Sequence, residues 1–198
     1  STSLDLTIRS GAQVSLQGSP KLARLALKDS SRAALTAGQN LLRLSQIEIS
    51  PSARLDLEDG SLILQADAGS RFAMFNLLTN RIRSARTGGS WSGPGILTGS
   101  LDPDHLHTLG IMLNENGGAP IKSVFAGQVV NNNSILVAYS LIGDTDLDGD
   151  IDSDDYARID SSFASQLDSP DYADGDLDYS GSINSDDYFY IDRAFASQ

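Results

Sequence analysis

Seven of the fourteen residues from Gly143 to Tyr156, GDTDLDGDIDSDDY, are aspartate. Such a stretch repels itself at neutral pH, since unit charges about 4 Å apart cost roughly 1 kcal/mol even in water and more beside a protein. Either it stays unfolded as an acidic tail, or a cation belongs to its folded form. The excess charge extends further. From Leu141 to Gln198 sixteen aspartates face only Arg158 and Arg193, a net −14 within a chain total of −12. Residues 1–140 therefore carry +2, and this step places a domain boundary between 140 and 141.

The spacing of the acids favours the cation. Placed on a twelve-residue calcium loop, Asp144, Asp146 and Asp148 take positions 1, 3 and 5, Gly149 takes 6, Asp152 takes 9 and Asp155 takes 12. Calcium binds six to eight hard oxygens, alternate loop residues turn inward, position 6 needs a sharp turn, and position 7, here Asp150, offers its carbonyl. Asp155 stands where a glutamate is usual and is one methylene shorter, so the helix that follows must sit closer. A second copy, GDLDYSGSINSDDY, supplies Asp176, Asp178, Ser180, Gly181, Ser182, Asn184 and Asp187. A register starting at Asp174 would put Tyr179 at the glycine position, so Asp176 is position 1. The copies stand 32 residues apart, and the match continues from DDYARIDSSFASQ into DDYFYIDRAFASQ. Tyr156, Ile159, Phe163 and Tyr188, Ile191, Phe195 form apolar stripes on two short helices, which Ser153, Ser185 and the aspartates after them are suited to start. No helix precedes either loop. The expectation is two calcium ions, each on a loop with one exiting helix, and a small core built on those six side chains.

This duplicated loop–helix pattern over residues 143–198 resembles the type I dockerin domain, including the aspartate at position 12. The resemblance implies a calcium-dependent module that binds a cohesin domain through loop positions 10 and 11. Here those are Ser153 and Asp154, repeated as Ser185 and Asp186. A hydroxyl pair is usual there and the second member here is Asp, which puts a cohesin partner in question. The other reading is that the module caps or staples the rest of the chain. GGSWSGPGI, LHTLGIML and FAGQVVNNNSILVAYSLIGDTDLDGDID are more loosely similar to the C-terminal ends of large secreted surface proteins of planctomycete-type bacteria.

Residues 3–66 read as strand after strand. SLDLTI, AQVSL, LARLAL, AALTA, LLRLSQIEI, ARLDL and SLILQA largely alternate apolar with polar residues. Ala12, Ala33 and Ala53 recur in similar surroundings about twenty residues apart, which suits the coils of a β-solenoid. A β-sandwich is the alternative. Phe72, Phe75, Leu78 and Ile82 then recur at helical spacing, predicting a helix over about 71–86. Arg81, Arg83 and Arg86 near its end bind an anionic polymer or form a solvated face. ILVAYSLI, 135–142, is a strand leading into the acidic region. The fold expected is mainly β, a solenoid-like domain over 1–140 with one helix, followed by a small α-helical calcium module over 141–198.

Little points to catalysis. His105 and His107, with Asp102 or Asp104, offer a zinc site, though solvated loop histidines after a proline are commoner. GGSWSG narrowly misses a nucleophile elbow, because Trp91 stands in the serine's place. Asp56 and Glu58 share a strand face and are candidates for a glycosidase pair. Asn132 fits a glycosylation sequon. Net acidity argues against nucleic acid, cysteine is absent, and no apolar run is long enough for a membrane span. With no disulfide, calcium would be the staple of an extracellular chain, and STSLDL reads as the start of a processed or trimmed piece of a secreted precursor. Three functions are open: a non-enzymatic subunit of an extracellular fibre, tube or surface layer that binds copies of itself; a tether to a cohesin-bearing scaffold; or a β-helix carbohydrate-active or sugar-binding protein.

Overall fold

Short strands in the first part of the chain pair with strands about twenty residues away and skip their immediate neighbours. A computed structural model describes residues 4–100 and 103–198. The chain runs through β1 (Asp5–Ile8), β2 (Gln13–Leu16), β3 (Lys21–Leu27), β4 (Arg32–Leu35), β5 (Leu41–Ile49), β6 (Arg54–Asp56) and β7 (Ser61–Gln65) to helix α1 (Arg71–Arg86). Then come β8 (Gly95–Leu97), β9 (His107–Leu113), β10 (Val124–Phe125), β11 (Gln128–Val129) and β12 (Ser134–Leu141), followed by α2 (Ser153–Ser165) and α3 (Ser185–Phe195). Strand outweighs helix, but the chain mixes both.

One sheet has the strand order β1-β3-β5-β7-β12-β9, a second has the order β2-β4-β6-β8, and β10 pairs with β11. From β1 to β7 the first sheet pairs in parallel, as does the whole of the second. Each short turn therefore carries the chain from one sheet to the other and back. Side chains alternate along a strand, so parallel register stacks like upon like. Leu6, Leu25 and Ile47 form one row, and Ile8, Leu27 and Ile49 the next. Turns are clamped across the repeat, with the Asp29 carboxylate accepting from Ser10 N–H at 3.1 Å and that of Asp59 from Gly38 N–H at 2.8 Å.

The alanine repeat is corrected by this register. Ala33 lies beside Val14 on one side and Leu55 on the other, and Ala12 is exposed while Ala33 and Ala53 are buried. Sliding a strand by two residues leaves every side chain on the same face, so polarity alone could not detect the error. Helix α1 spans the expected residues and buries Phe75, Leu78 and Ile82. Phe72 instead is exposed, with the Arg71 guanidinium 4.8 Å from its ring centre. Arg81, Arg83 and Arg86 form no common exposed face, because Arg86 is buried. Strand β8 approaches α1 at Gly95, where an added Cβ would stand 2.0 Å from the Arg81 carbonyl oxygen.

The chain divides into two compact units, one of residues 1–100 and 113–137, the other of residues 101–112 and 138–198. Strands β9 and β12 run antiparallel, with Asn114 N–H donating to Ser134 O and Ile142 N–H to Leu106 O. In the second unit the strand residues meet two tyrosines from the acidic segment. The buried Tyr172 and Tyr179 stack at 5.7 Å, Tyr172 Oη donates to Leu141 O, and Tyr179 Oη donates to Leu109 O. Gly110 in β9 leaves room for them, since a Cβ there would meet Leu147 and Tyr172 at 2.6 and 2.7 Å. No described helix is long and apolar enough to cross a membrane.

Candidate metal centre

The acidic segment folds as two loops built alike. In the first, the Asp144 carboxylate turns back into its own loop and accepts from Asp148 N–H at 3.0 Å and Gly149 N–H at 3.1 Å. In the second, Asp176 accepts from Gly181 N–H at 2.9 Å. Leu147 and Tyr179, each three residues after the first aspartate, have φ of 59° and 61°, and Gly149 and Gly181 follow with φ of 111° and 91°. These positive angles wrap the backbone so that alternate side chains converge. One carboxylate oxygen from each of Asp144, Asp146 and Asp148 lies within 4.8 Å of the others, and so do those of Asp176, Asp178 and Asp187.

The last acid of each loop is built into the helix that follows. Asp155 accepts from Thr145 N–H at 2.7 Å with one oxygen and from Asp152 N–H at 3.0 Å with the other. Asp187 does the same with Leu177 N–H and Asn184 N–H, both at 2.9 Å. Asp152 and Asn184, at position 9, are the N-caps of α2 and α3, and their side chains accept from Asp154 N–H and Asp186 N–H. Each helix thus opens on a reciprocal capping box. Among the described residues Asp155 joins no three-carboxylate cluster, whereas Asp187 does. Ser180 Oγ donates to the Ser182 carbonyl at 3.1 Å, and Asp150 is exposed with its N–H on Asp148 at 3.3 Å. Arg158 lies 3.8 Å from Asp146. Ser153, Asp154, Ser185 and Asp186 occupy the first turns of α2 and α3, all exposed.

Contacts between the two repeats are reciprocal. Tyr156 Oη donates to Asp192 and Tyr188 Oη to Asp160, both at 2.7 Å. The Tyr156 ring meets Phe195 edge-on at 5.9 Å, and Tyr188 meets Phe163 at 6.0 Å. A Cβ on Gly143 would lie 2.7 Å from Ile191 Cγ1, and one on Gly175 would lie 2.6 Å from Ile159 Cγ1. Every pair maps onto its counterpart by the 32-residue offset, so the repeats are related by a local two-fold axis. Ile159 and Ile191 are fully buried at its centre, but Phe163 and Phe195 remain 54% and 48% exposed, which removes both from the expected core.

Among the described residues four carboxylates are sealed from solvent: Asp144, Asp155, Asp176 and Asp187. Burial pushes Asp144 up to about 6 against the hydrogen bonds from Ser140 and Asp148 that hold it down. Burial likewise raises Asp176 to about 6, and Asp155 and Asp187 upward from the ordinary value. A buried carboxylate at neutral pH needs a proton or a cation. The donors at both clusters are oxygen alone, the set a hard divalent ion such as calcium takes. By that chemistry Asp144, Asp146 and Asp148 fit one ion, and Asp176, Asp178 and Asp187 a second.

Sequence reading missed Asp171, which caps the single 3-10 turn before the second loop in a reciprocal box with Asp174. Burial, then the charge of Asp174, pushes Asp171 up to about 7. The pattern D-x-x-D just before the second loop is the signal that marked it. Of the other candidates, Asp56 and Glu58 come together, since a Cβ on Gly99 would stand 2.9 Å from an oxygen of each, and burial, then the charge of Asp56, pushes the Glu58 carboxyl up; the histidines do not assemble. His105 is exposed and His107 stacks on Tyr139 at 5.0 Å, so neither joins a metal-ligating cluster among the described residues, and Asp102 lies outside those residues. Asp56 Oδ1 accepts from Glu58 N–H at 2.9 Å and Gly99 N–H at 2.8 Å, closing a turn in which Glu58 has left the strand with φ of 51°. Trp91 is buried, and the Asn132 amide donates to Gly118 O at 2.7 Å. No protein-family model matches this chain, and no curated protein or solved structure does.

Proposed function

We propose that this chain is a secreted, non-catalytic assembly protein in which a β-solenoid body carries a dockerin-like module that folds around two calcium ions. The reciprocal two-fold contacts between the loop–helix repeats, with a partly buried carboxylate cluster in each, carry this reading. Parallel strands recurring about every twenty residues and alternating between two sheets favour a solenoid over a sandwich, whose sheets are antiparallel. When bound, calcium supplies the charge that offsets the carboxylates' mutual repulsion. The chain's own part is to orient them: backbone N–H groups of both loops aim Asp144 and Asp176 inward, and the capping boxes lock Asp155 and Asp187. Rigid helices then present Ser153, Asp154, Ser185 and Asp186 to a protein partner, either another copy in an extracellular fibre, tube or surface layer, or a cohesin-like domain.

Calorimetry of the intact chain with calcium tests the module, and a single site or none overturns it. Electron microscopy of the pure protein with calcium and with chelator tests the assembly. Polymers that dissolve in chelator support self-assembly. Particles that stay single at high concentration in calcium reject it and leave the tether.

A further inference from the structure

We propose that the outward face of the four-stranded sheet binds an acidic sugar chain, with a sugar carboxylate seated between Arg32 and Arg54. Along β2, β4 and β6 alternate side chains enter the core and the others face out. Register stacks the outward set in two rows, Gln13, Arg32 and Arg54 in one and Ser15, Ala34 and Asp56 in the next. In β8 the buried Leu97 stands beside Asp56. These side chains line a groove of about 440 Å³ that opens to solvent, within the size range of small-ligand sites. The small Ser15 and Ala34 keep its floor low. The groove lies on the face of the sheet, so a strand paired beyond β2 would lengthen it and leave it uncovered.

Charge points to the ligand. Arg32 and Arg54 are direct neighbours in adjacent strands, where like charges repel. The Arg32 side chain has no hydrogen-bond or ion-pair partner among the described residues, and no carboxylate there pairs with Arg54. Arg54 donates through Nη2 to Ser92 O, which fixes its guanidinium. An anion set between the two turns their repulsion into a pair of charge-assisted contacts, and the planar forks suit a carboxylate. Asp56 limits which anion fits. Its Oδ1 accepts from Glu58 N–H and Gly99 N–H, and its Oδ2 is left to accept from a hydroxyl. Gln13 and Ser15 add an exposed amide and hydroxyl. A sugar ring with one carboxylate matches this set, with charge at one edge, hydroxyls at the other, and C–H groups to lie on Ala34 and Leu97. From β2 to β6 the face spans about 10 Å, length for about two linked rings. A nucleic acid, charged at every step, would meet Asp56 and a chain at net −12.

Calorimetric titration of the intact chain with trimers of galacturonate and of mannuronate, in calcium and in excess chelator, tests this. Binding of at least one trimer, equally strong in both conditions, is expected, because the groove uses no residue of the acidic module. Failure here and failure of the calcium-assembly reading are therefore told apart. A neutral galactose trimer, sodium sulfate and a trimer of glutamate should each bind roughly tenfold more weakly or less. Arg32→Gln and Arg54→Gln, each checked for an unchanged circular dichroism spectrum, should weaken the acidic sugar roughly tenfold. Asp56→Asn keeps the oxygen that closes the turn and should narrow the preference for the sugar over sulfate. A chain that binds neither acidic trimer, or binds only in calcium, would overturn the proposal. So would an Arg32→Gln chain as tight as the parent, or sulfate or the glutamate trimer bound as tightly as the sugar.

Discussion

Gly143 and Gly175 show how single residues hold the acidic module together. Each precedes the first aspartate of its loop with φ of 127° or 109°, and each lies against the central isoleucine of the opposite repeat. A methyl group at either position meets both a strained backbone and an occupied space. Gly143→Ala and Gly175→Ala should each destabilise the module by about 2–4 kcal/mol, read from chemical unfolding. The buried aspartates set a pH dependence whose sign depends on calcium. Asp144 and Asp176 are raised to about 6 from an ordinary value of 3.8, so the folded state holds protons more tightly than the unfolded one. The stability this contributes is fully present below 3.8 and is lost as pH rises through about 6. In chelator, helical melting should therefore occur at higher temperature at pH 5 than at pH 7.5. In calcium the order should reverse, because protons compete with the ion for the same oxygens. A chelated sample that melts identically at both values argues against the burial.

At the scale of elements, the two helices are short, and packing and caps hold them where propensity would not. Asp152 and Asn184 each satisfy backbone donors at a helix start, and replacing either with alanine should cost about 1 kcal/mol. The tyrosines tie the helices crosswise. Tyr156→Phe and Tyr188→Phe should lower stability by similar amounts, about 1 kcal/mol each, because the two-fold relation makes their environments equivalent. Loss at only one of the two would count against that equivalence. The loops themselves should differ. Loop one has Asp148 at position 5 where loop two has Ser180, so it carries more charge and should bind calcium more tightly. Asp148→Ala should then weaken binding more than Ser180→Ala in a calorimetric titration.

For the whole molecule, charge and core size set the limits. A net −14 over 58 residues rests on a core whose helical contribution is chiefly Ile159, Ile191 and Ala194, with Tyr172, Leu177 and Tyr179 supplied by the segment between. On the proposed function the ions supply the counter-charge this small core needs, and binding free energy becomes folding free energy. Chelation should lower the helical circular dichroism and open residues 165–175 to protease, while the strand signal persists. Salt should partly restore the helices by screening. Helices unchanged in excess chelator would reject the coupling.

The sequence by itself determined what depends on near neighbours. The spacing of Asp144, Asp146 and Asp148 around Gly149 is a local pattern, and so is the stripe that makes α1 a helix. The register between strands was not legible, because a two-residue slip preserves the alternation that polarity reports. Nor was the fate of Phe163 and Phe195, whose rings meet a tyrosine of the opposite repeat edge-on and yet stay about half exposed, unlike the buried isoleucines. The tertiary structure alone brought Leu109 and Gly110 to Tyr172 and Tyr179, some seventy residues away, and grouped residues 101–112 with the acidic segment. It also made Asp152, at loop position 9, the N-cap of α2. A carboxylate follows the nearest unsatisfied donor, and which donors are near is set by how the chain packs.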